Sequence, residues 1–429
     1  MRLRNHSYSL SMSMLFIFIF MITACSSTPT QTVIQQSPVE TDNESVEDGQ
    51  VLTVITDETS NSDTKEKSKY QIQTRLTDFH MLSESEGIAW GLTKTSLRLY
   101  LTEDYGETWV NISPSSNINF VDKLVYGKDI VFTDKDHGWI VRNAQGNMET
   151  ILMNTTNGGK EWKLSSLPGV REVTALSFTS AVRGWVMSAG EESPGFQEKS
   201  LFRTIDNGGN WNTIMQNSDY PASRIPATVI PRTGHLMGMS FANSYTGLAT
   251  VQEMKGSKLY VTRDGGTKWN ASNAVFQEGQ LSNYVSYIPG TPQFLGRTND
   301  VWIPVTSTDQ NQKTVYLGYF SSDSGVSWEL VPFLLKPESS ERTISPIFRN
   351  LQEGWSVING IVYHTKNMGK TWNAFPKDPE LTEHLVDLPN ISKLQFASTD
   401  VGWMLVESSD GKRSRLLQTL DGGKNWRVR

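Results

Sequence analysis

The sequence has a single cysteine, Cys25, so it can form no disulfide within the chain. Its six histidines are scattered and no HExxH sequence occurs, so we predict neither a bound metal nor another cofactor. Neither a phosphate-binding glycine loop nor a G-x-S-x-G nucleophile motif is present. The net charge is −6 and no basic cluster stands out, which argues against a nucleic-acid partner.

Long hydrophobic runs are also lacking, and the one apolar segment lies at Met12–Ile22. This segment is too short to span a bilayer comfortably, and it follows Arg2 and Arg4. The sequence ITAC then ends at Cys25 and resembles a bacterial lipobox. We therefore expect residues 1–24 to be a lipoprotein signal peptide and Cys25 to carry a diacylglyceryl group. An ordinary signal peptide, or an anchor helix with an incidental cysteine, is the alternative. The first interpretation predicts a lipid anchor on the extracytoplasmic face of a bacterial cell membrane.

No aromatic residue occurs from Ser26 to Lys69, a stretch rich in Ser, Thr, Gln and acidic residues. Such a segment cannot bury enough apolar surface to offset the entropy lost on ordering. We therefore predict that residues 25–69 form a disordered acidic tether. Gln50–Thr56 (QVLTVIT) is an exception, because it has strand character and could add to the edge of a sheet. We favour the tether for this segment as well.

An eight-residue phrase, Ser/Thr-x-Asp/Asn-x-Gly-x-x-Trp, recurs seven times and is called the box below. The boxes are Thr102–Trp109, Thr155–Trp162, Thr204–Trp211, Thr262–Trp269, Ser321–Trp328, Thr365–Trp372 and Thr419–Trp426. A unit repeated at about fifty residues is typical of propellers and solenoids. We therefore treat residues 70–429 as one closed repeat domain rather than as several domains.

A second signal precedes each box: an apolar residue, a short polar turn, then Gly-Trp and a β-branched run, as in FTSAVRGWVM at Phe178–Met187. The fourth copy has Leu248 in place of the tryptophan. The six tryptophans of these segments and the seven of the boxes account for all 13 in the chain, and we assign them to packing between blades. Period-two alternation gives four strands, A to D, per repeat, and no stretch after Tyr70 keeps a helical period for long. The sequence thus predicts an all-β, seven-bladed β-propeller with four-stranded antiparallel blades.

The box residues suit a tight turn between strands C and D. An Asp or Asn side chain accepts backbone N–H groups within such a turn, and glycine at position five supplies a positive φ. Asparagine replaces aspartate in two boxes, which a hydrogen-bonding role tolerates and acid catalysis does not. We therefore assign a structural role to the third residue of every box: Asp104, Asn157, Asp206, Asp264, Asp323, Asn367 and Asp421.

These phrases resemble the Asp box of the bacterial neuraminidase repeat families. Such boxes occur in sialidases, xyloglucan-cleaving glycosidases, sortilin-type receptors and propellers of the photosystem II assembly-factor type. The seven-fold spacing and the repeated Gly-Trp strands are most similar to the last group. The resemblance implies a propeller that serves as a binding or assembly platform without chemistry of its own. The SRIPA sequence at Ser223–Ala227 is similar to a sialidase phrase, but it follows the third box, whereas in sialidases that phrase precedes the first.

The connections from D to A and from B to C are the longer ones, and both emerge on one face of a propeller, called here the loop face. Variable loops on a rigid scaffold often carry binding sites. We therefore expect the loop face, opposite the boxes, to hold the partner site. Its polar candidates are Glu191, Glu192, Arg224, Arg232, His235, Arg342 and His384.

Two functions are consistent with these residues and repeats. The first is a membrane-tethered, monomeric platform that binds a protein or a glycan and is not an enzyme. The second is an extracytoplasmic glycoside hydrolase, sialidase-like or glucanase-like, with carboxylates in the propeller funnel. Three convergent arginines or two suitably spaced carboxylates in one deep funnel would favour the hydrolase.

Overall fold

The computed structural model of the protein describes residues 52–55, 74–115, 117–221, 224–296, 299–335 and 342–429. All described residues belong to one compact unit. Cys25, the expected signal peptide and most of the expected tether lie outside the described residues. No helix among the described residues is long and apolar enough to cross a membrane.

Seven antiparallel sheets form the seven blades, which confirms the predicted fold. A single strand, β1 (Leu52–Ile55), precedes them. Blades 1 to 3 consist of β2 (Asp78–Met81), β3 (Gly87–Thr93), β4 (Ser96–Thr102), β5 (Val110–Asn111); β6 (Ile130–Phe132), β7 (Gly138–Arg142), β8 (Thr150–Thr155), β9 (Glu161–Leu167); and β10 (Glu172–Phe178), β11 (Gly184–Ser193), β12 (Phe196–Thr204), β13 (Asn212–Gln216).

Blades 4 to 7 continue the same order, except that two strands, β18 and β19, share the innermost place of blade 5 by pairing with β20. They consist of β14 (His235–Phe241), β15 (Gly247–Glu253), β16 (Gly256–Thr262), β17 (Asn270–Ser272); β18 (Tyr284–Pro289), β19 (Gln293–Phe294), β20 (Val301–Asp309), β21 (Thr314–Ser321), β22 (Glu329–Pro332); β23 (Ile344–Phe348), β24 (Gly354–Ile358), β25 (Ile361–Thr365), β26 (Asn373–Ala374); and β27 (Asn390–Phe396), β28 (Gly402–Glu407), β29 (Ser414–Thr419), β30 (Arg427–Val428).

Among the described residues, the ring closes between blade 7 and blade 1 without exchange of a strand, because each of these two blades is built from strands that follow one another in sequence. The Gln395 side chain accepts the backbone N–H of Met81 and donates to its carbonyl, each over 2.9 Å. The ammonium group of Lys393, on β27, lies 2.8 Å from the Asp78 carboxylate on β2. Polar contacts between innermost strands therefore hold this junction, called the seam below.

Strand β1 adds a fifth strand to the outer edge of blade 2. It pairs antiparallel with β9, with Leu52 opposite Leu164 and Val54 opposite Trp162. The outer strands of the other blades have two to five residues, whereas β9 has seven. A long outer strand leaves a row of unpaired N–H and C=O groups, which favours capture of an extended segment. This strand lies within Gln50–Thr56, the segment whose strand character could add to the edge of a sheet.

Two helices occur in D-to-A connections, although no lasting helical period was expected. The helix α1 (Glu278–Leu281) is a single turn, and α2 (Pro379–Asp387) has nine residues. The Asp378 carboxylate caps α2 by accepting the N–H groups of Glu380 and Leu381. Buried leucines at positions 381 and 385 lie one turn apart. The sequence signal was present as Asp-Pro followed by two leucines spaced by four, but nine residues are too few for a clear periodicity.

The seven box turns share one hydrogen-bond network. The hydroxyl group at position one donates to the side-chain oxygen at position three over 2.7–3.1 Å. The same hydroxyl accepts the N–H of the glycine at position five over 2.8–3.0 Å. The oxygen at position three also accepts the N–H of position seven. Asn157 and Asn367 make the same bonds as the aspartates, so the network needs an acceptor and not a charge.

Two consecutive residues of each box have a positive φ. The glycine at position five has φ between 75° and 101°, as the sequence predicted. Position four, for which no such conformation was predicted, has φ between 58° and 79°, even where it is Tyr105 or Met368. Bulky residues adopt this left-handed region only where the surrounding structure enforces it. The hydrogen bonds on either side of position four provide that constraint.

Three tryptophans of the Gly-Trp segments connect their blade with the box of the next blade. The indole N–H groups of Trp139, Trp185 and Trp355 donate to the carbonyl at position four of the following box, over 2.8–3.0 Å. Trp185 also stacks on Phe241 of blade 4 with ring centroids 3.9 Å apart. These tryptophans are fully buried, as expected for packing between blades.

Candidate functional site

The structure divides the predicted loop-face residues into two groups. The first group lies on the hairpin of β11 and β12, on the connection from β13 to β14 or at the start of β14, and consists of Glu191, Glu192, Arg224, Arg232 and His235. The other group, Arg342 and His384, lies on the connections that lead into β23 and β27. Within the described chain, no hydrogen bond or ion pair joins one group to the other.

In the first group, Glu192 and His235 form a pair whose Oε1 and Nδ1 atoms are 2.7 Å apart. The other ring nitrogen of His235 accepts the backbone N–H of Gly195 over 3.2 Å, at the tip of the hairpin. The segment Ala189–Lys199, expected to be a long B-to-C loop, is therefore mostly an extended β-hairpin. Its tip is fastened to the start of β14.

Arg232 is used within the fold. Its guanidinium donates to the carbonyls of Asn217, Ser218 and Tyr220 over 3.0–3.3 Å. It also lies 5.9 Å from the centre of the Phe196 ring. These contacts hold the β13–β14 connection, so Arg232 has few donors left for a partner. Glu191 and Arg224, in contrast, are exposed on this face.

Lys199, which sequence reasoning did not single out, is the buried cation of this region. Its side chain is 1% exposed, and its ammonium group donates to the carbonyls of Gln197, Pro231 and Gly234 over 2.8–3.2 Å. Burial lowers the pKa of Lys199 to about 8. The sequence around KSLFRT gave no signal for a buried lysine, because two of the three carbonyls that it meets, those of Pro231 and Gly234, come from a later connection.

In the second group, His384 lies on α2 and its Nδ1 atom is 2.9 Å from Nη1 of Arg415. Because an arginine can only donate, this contact makes Nδ1 the acceptor and leaves the proton on Nε2. Nε2 is inaccessible and has no hydrogen-bond partner. Arg342 has a positive φ of 52°, and its backbone N–H donates to the Pro389 carbonyl. Both residues therefore shape the entry into blade 7.

Arg415 also lines a cavity of about 240 Å³ that we call the seam cleft. The charged residues of its lining are Arg75, Asp387, Lys412, Arg413 and Arg415. The lining thus contains four cations and one carboxylate around a small opening on the loop face. Sequence reasoning missed this cleft, because Arg75 precedes the first blade and the other cations belong to the last.

The seam cleft borders a pair of contacts that joins the ends of the ring. Nη2 of Arg75 lies 3.1 Å from one oxygen of Glu407, and Nζ of Lys123 lies 3.7 Å from the other. The Glu407 side chain is 13% exposed, so water screens these contacts only in part. The cleft therefore lies beside the polar seam between blade 7 and blade 1.

A separate buried network lies near the box of blade 6. The Glu353 carboxylate accepts bonds from Arg349 and Thr399 and lies 3.1 Å from Nε2 of His364. Burial opposes ionisation of Glu353, but these bonds outweigh it and lower its pKa. The His364 ring stacks on Trp355 with centroids 4.8 Å apart. Every polar group here is engaged by a neighbour, as in a structural network.

Potential metal ligands do not cluster in the described residues. No group of three or more His, Cys, Asp or Glu side chains in this part of the chain could hold a metal ion. The candidate chemistry of the loop face is therefore electrostatic and rests on arginine, lysine and carboxylate side chains.

Known proteins share features of this architecture. Residues 114–284 match the family model described as photosynthesis system II assembly factor YCF48. The photosystem II stability/assembly factor HCF136, chloroplastic, of Arabidopsis thaliana is 23% identical over 323 residues, covering 71% of this chain and 68% of that protein. The photosystem II assembly protein Ycf48 of Synechococcus sp. (strain JA-2-3B'a(2-13)) is 25% identical over 326 residues, covering 68% of this chain and 84% of that protein.

Among solved structures, a prolyl endopeptidase is similar with a TM-score of 0.47 and 11% identity. The match covers 83% of this chain, which spans about half (49%) of the endopeptidase. A likeness of this size carries no argument about activity. The sequence matches, together with the seven box-bearing blades, show that the chain is a β-propeller similar to the photosystem II assembly factors.

Proposed function

We propose that this protein is a lipid-anchored, extracytoplasmic β-propeller that acts as a non-enzymatic binding or assembly platform for a protein partner. The observation that carries the proposal is the similarity, over about two thirds of the chain, to two proteins named for assembly. The loop face supports it, because that face exposes charged side chains on connections that the blades hold rigidly.

The use of the box side chains also supports a platform. Each aspartate or asparagine at position three is bonded to a hydroxyl group and to backbone N–H groups of its own turn. Groups fixed in this way are poor candidates for proton transfer. The five aspartates and two asparagines accordingly stabilise the blade turns, and we place the partner site on the opposite face.

The anchor is the second element of the proposal. The sequence ending at Cys25 resembles a lipobox, and a diacylglyceryl group would hold the protein on the membrane firmly. Cys25→Ser should release the protein from the membrane fraction, and intact mass should show loss of the lipid at residue 25. Retention of Cys25→Ser in membranes after a high-salt wash would contradict the anchor without bearing on the platform.

Co-purification tests the platform. Tagged full-length protein is cross-linked on intact cells and recovered in detergent, and bound proteins are identified by mass spectrometry. A double variant, Glu191→Lys with Arg224→Glu, reverses two exposed charges on the loop face. We expect it to lose the partner, whereas the matched box-face variant Glu103→Lys with Lys366→Glu should keep it. Loss of the partner only in the box-face variant would show that the site lies on the other face.

A glycoside hydrolase is the second candidate, because Arg75, Arg413 and Arg415 line one cavity. A sialidase uses three arginines to bind the substrate carboxylate, but it also needs a Tyr/Glu nucleophile pair and an acid. Asp387 is the one acid in the cleft lining, which contains no tyrosine. We therefore favour carboxylate binding without hydrolysis. Turnover of a fluorogenic sialoside by the full-length protein, and its loss in Asp387→Asn, would overturn that choice.

A further inference from the structure

We propose that the seam cleft is a binding site for a carboxylate group and that the bound carboxylate strengthens closure of the propeller ring. For the source of the carboxylate, an acidic residue or chain end of a protein partner, the inference rests on the proposed platform function. The site itself would bind a free carboxylate too.

The arginines of the cleft have hydrogen-bond donors to spare. Within the part of the chain that the structure describes, the Arg413 side chain makes no hydrogen bond or ion pair. Arg415 shares one bond with a histidine nitrogen, and Arg75 makes one bond, to Glu407. A guanidinium has five N–H donors in a planar fork. Most donors of these three arginines are therefore available to a ligand.

The charge around the cleft is positive. The lining has four cations and one acid, Asp387. Arg75 is already paired with Glu407, and Lys412 lies 3.7 Å from Asp410 in a weak, screened pair, because it is 82% exposed. Arg413 and Arg415 therefore supply most of the positive charge that attracts an anion into an opening of about 240 Å³, which admits a side-chain carboxylate or a chain terminus.

The arginines of the lining suit a carboxylate. Planar guanidinium groups match its two oxygens, and Arg75 already binds one such group, that of Glu407. One wall of the cleft is the C-terminal end of α2, with Asp387 and Leu388, and it carries partial negative charge. Because guanidinium groups also pair with phosphate, the phosphate control in the test decides between the two anions.

The cleft lies between the two ends of the ring. Arg75 immediately precedes blade 1, whereas Lys412, Arg413 and Arg415 belong to the β28–β29 hairpin of blade 7. An anion between them contacts both ends of the propeller. Because it binds the closed ring and not the opened one, it stabilises closure by mass action.

The test uses full-length protein in detergent and two carboxylate probes, N-acetylglutamate and an acetylated, amidated hexaglutamate peptide. Inorganic phosphate and chloride at equal ionic strength serve as anion controls. At tenfold the dissociation constant, we expect each carboxylate probe to raise the unfolding midpoint by about 1–3 °C. Amide hydrogen exchange should slow at Arg75–Met81 and in the β28–β29 hairpin.

Arg413→Ala is the diagnostic variant, because its side chain has no partner among the described residues whose loss would disturb the fold. We expect it to weaken the binding of both carboxylate probes about tenfold or more and to leave the unfolding midpoint of the ligand-free protein unchanged. Arg171→Ala, an exposed arginine of the β9–β10 connection, is the matched control and should bind as the unmodified protein does. Equal shifts in Arg413→Ala and Arg171→Ala, no shift with either probe, or tighter binding of phosphate would each overturn the proposal.

The outcome can be separated from that of the platform. Arg413→Ala could lose carboxylate binding and still recover the cross-linked partner unchanged. This result would confirm the site and reject this partner as its ligand. Loss of both would identify the cleft as the place where the partner docks.

Discussion

Arg263 donates a hydrogen bond from Nη2 to the carbonyl of Ser324 over 2.9 Å, at the junction between blades 4 and 5. Ser324 is position four of its box. At the junctions after blades 2, 3 and 6, the equivalent carbonyl accepts an indole N–H. Blade 4 has Leu248 in place of that tryptophan, so Arg263 supplies the missing donor. At the seam, the Gln418 side chain does so for Tyr105 over 3.0 Å.

Because different side chains donate to these carbonyls, we expect their removal to lower the free energy of unfolding by different amounts. In Trp185→Phe the stacked ring is kept, but the carbonyl of Gly265 loses its donor in a buried position. We expect a loss of about 1–3 kcal/mol in the free energy of unfolding, measured by urea denaturation. Arg263→Leu exposes the Ser324 carbonyl to water, and its cost should stay within about 0.5 kcal/mol. Equal losses in the two variants would contradict the proposed role of the indole N–H.

The blades and the box turns could be predicted from sequence because their determinants are local. A glycine with positive φ and an acceptor two residues earlier lie within one eight-residue phrase. The positive φ at position four was not predictable, since tyrosine or methionine there gives no sign of it. That conformation follows from hydrogen bonds made by the residues on either side.

The loop face could be located from the order of the strands, but its chemistry could not. His235 and Arg232 look like free surface groups in the sequence, whereas distant carbonyls and carboxylates engage them in the fold. The seam cleft is harder still, because closure of the ring brings Arg75 next to Arg413 from opposite ends of the propeller. Contacts of this range leave no pattern in a single sequence.

The pair of Lys393 and Asp78 should be a main support of the seam. Burial lowers the pKa of Lys393, and the nearby Asp78 carboxylate partly offsets this effect. The ammonium group also lies 5.4–5.9 Å from the ring centres of Phe79, Trp90 and Tyr126. Lys393→Met leaves the Asp78 carboxylate without its partner, and we expect a loss of about 3 kcal/mol in urea denaturation.

A double variant separates charge from packing at this pair. Lys393→Met combined with Asp78→Asn removes both charges, while the amide oxygen can still accept the N–H of Phe79. It should regain most of the lost stability, because replacing a buried pair altogether is far less harmful than breaking it. A double variant as unstable as Lys393→Met alone would show that the lysine stem, and not the charge pair, supports the seam.

Lys199 should behave as a structural cation of blades 3 and 4. Lys199→Met removes the donors of three carbonyls, and we expect a loss of about 3 kcal/mol in urea denaturation. Lys258→Met, whose side chain is 49% exposed beside Glu253, is the matched control and should change stability by less than about 0.5 kcal/mol. A similar loss in both variants would show that packing of the lysine methylene groups, and not the hydrogen bonds to the carbonyls, provides the stability.

The same lysine predicts a dependence on alkaline pH. Its pKa is about 8 in the folded protein and near 10.5 ordinarily, so the unfolded chain binds more protons between these values. The contribution of Lys199 to the free energy of unfolding therefore rises as pH increases from about 8 to 10.5. Lys199→Met should lack this rise relative to the unmodified protein. If the free energy of unfolding of the two proteins changes in parallel from pH 8 to 10.5, this role of Lys199 is contradicted.

The box aspartates should make stability sensitive to acid. Burial opposes ionisation of Asp323, but hydrogen bonds from Ser327, Ser321 and Val326 outweigh it and lower its pKa to about 2, from an ordinary 3.8. The stabilisation due to its ionised form is complete above the ordinary pKa and is lost as pH falls through about 2. Asp323→Asn should therefore show a shallower fall in the free energy of unfolding between pH 4 and pH 2.

The chain offers a reciprocal control for this prediction, because Asn367 occupies the same place in the box of blade 6. Its side-chain oxygen accepts the N–H of Thr371 over 3.0 Å, and its amide group donates to the hydroxyl of the same residue over 2.9 Å. In Asn367→Asp, the threonine hydroxyl can turn and donate to the new carboxylate, as Ser327 does to Asp323. The free energy of unfolding of this variant should then fall more steeply in acid than that of the unmodified protein. If the unmodified protein and both variants lose stability in parallel from pH 4 to pH 2, the box carboxylates contribute as neutral acceptors alone.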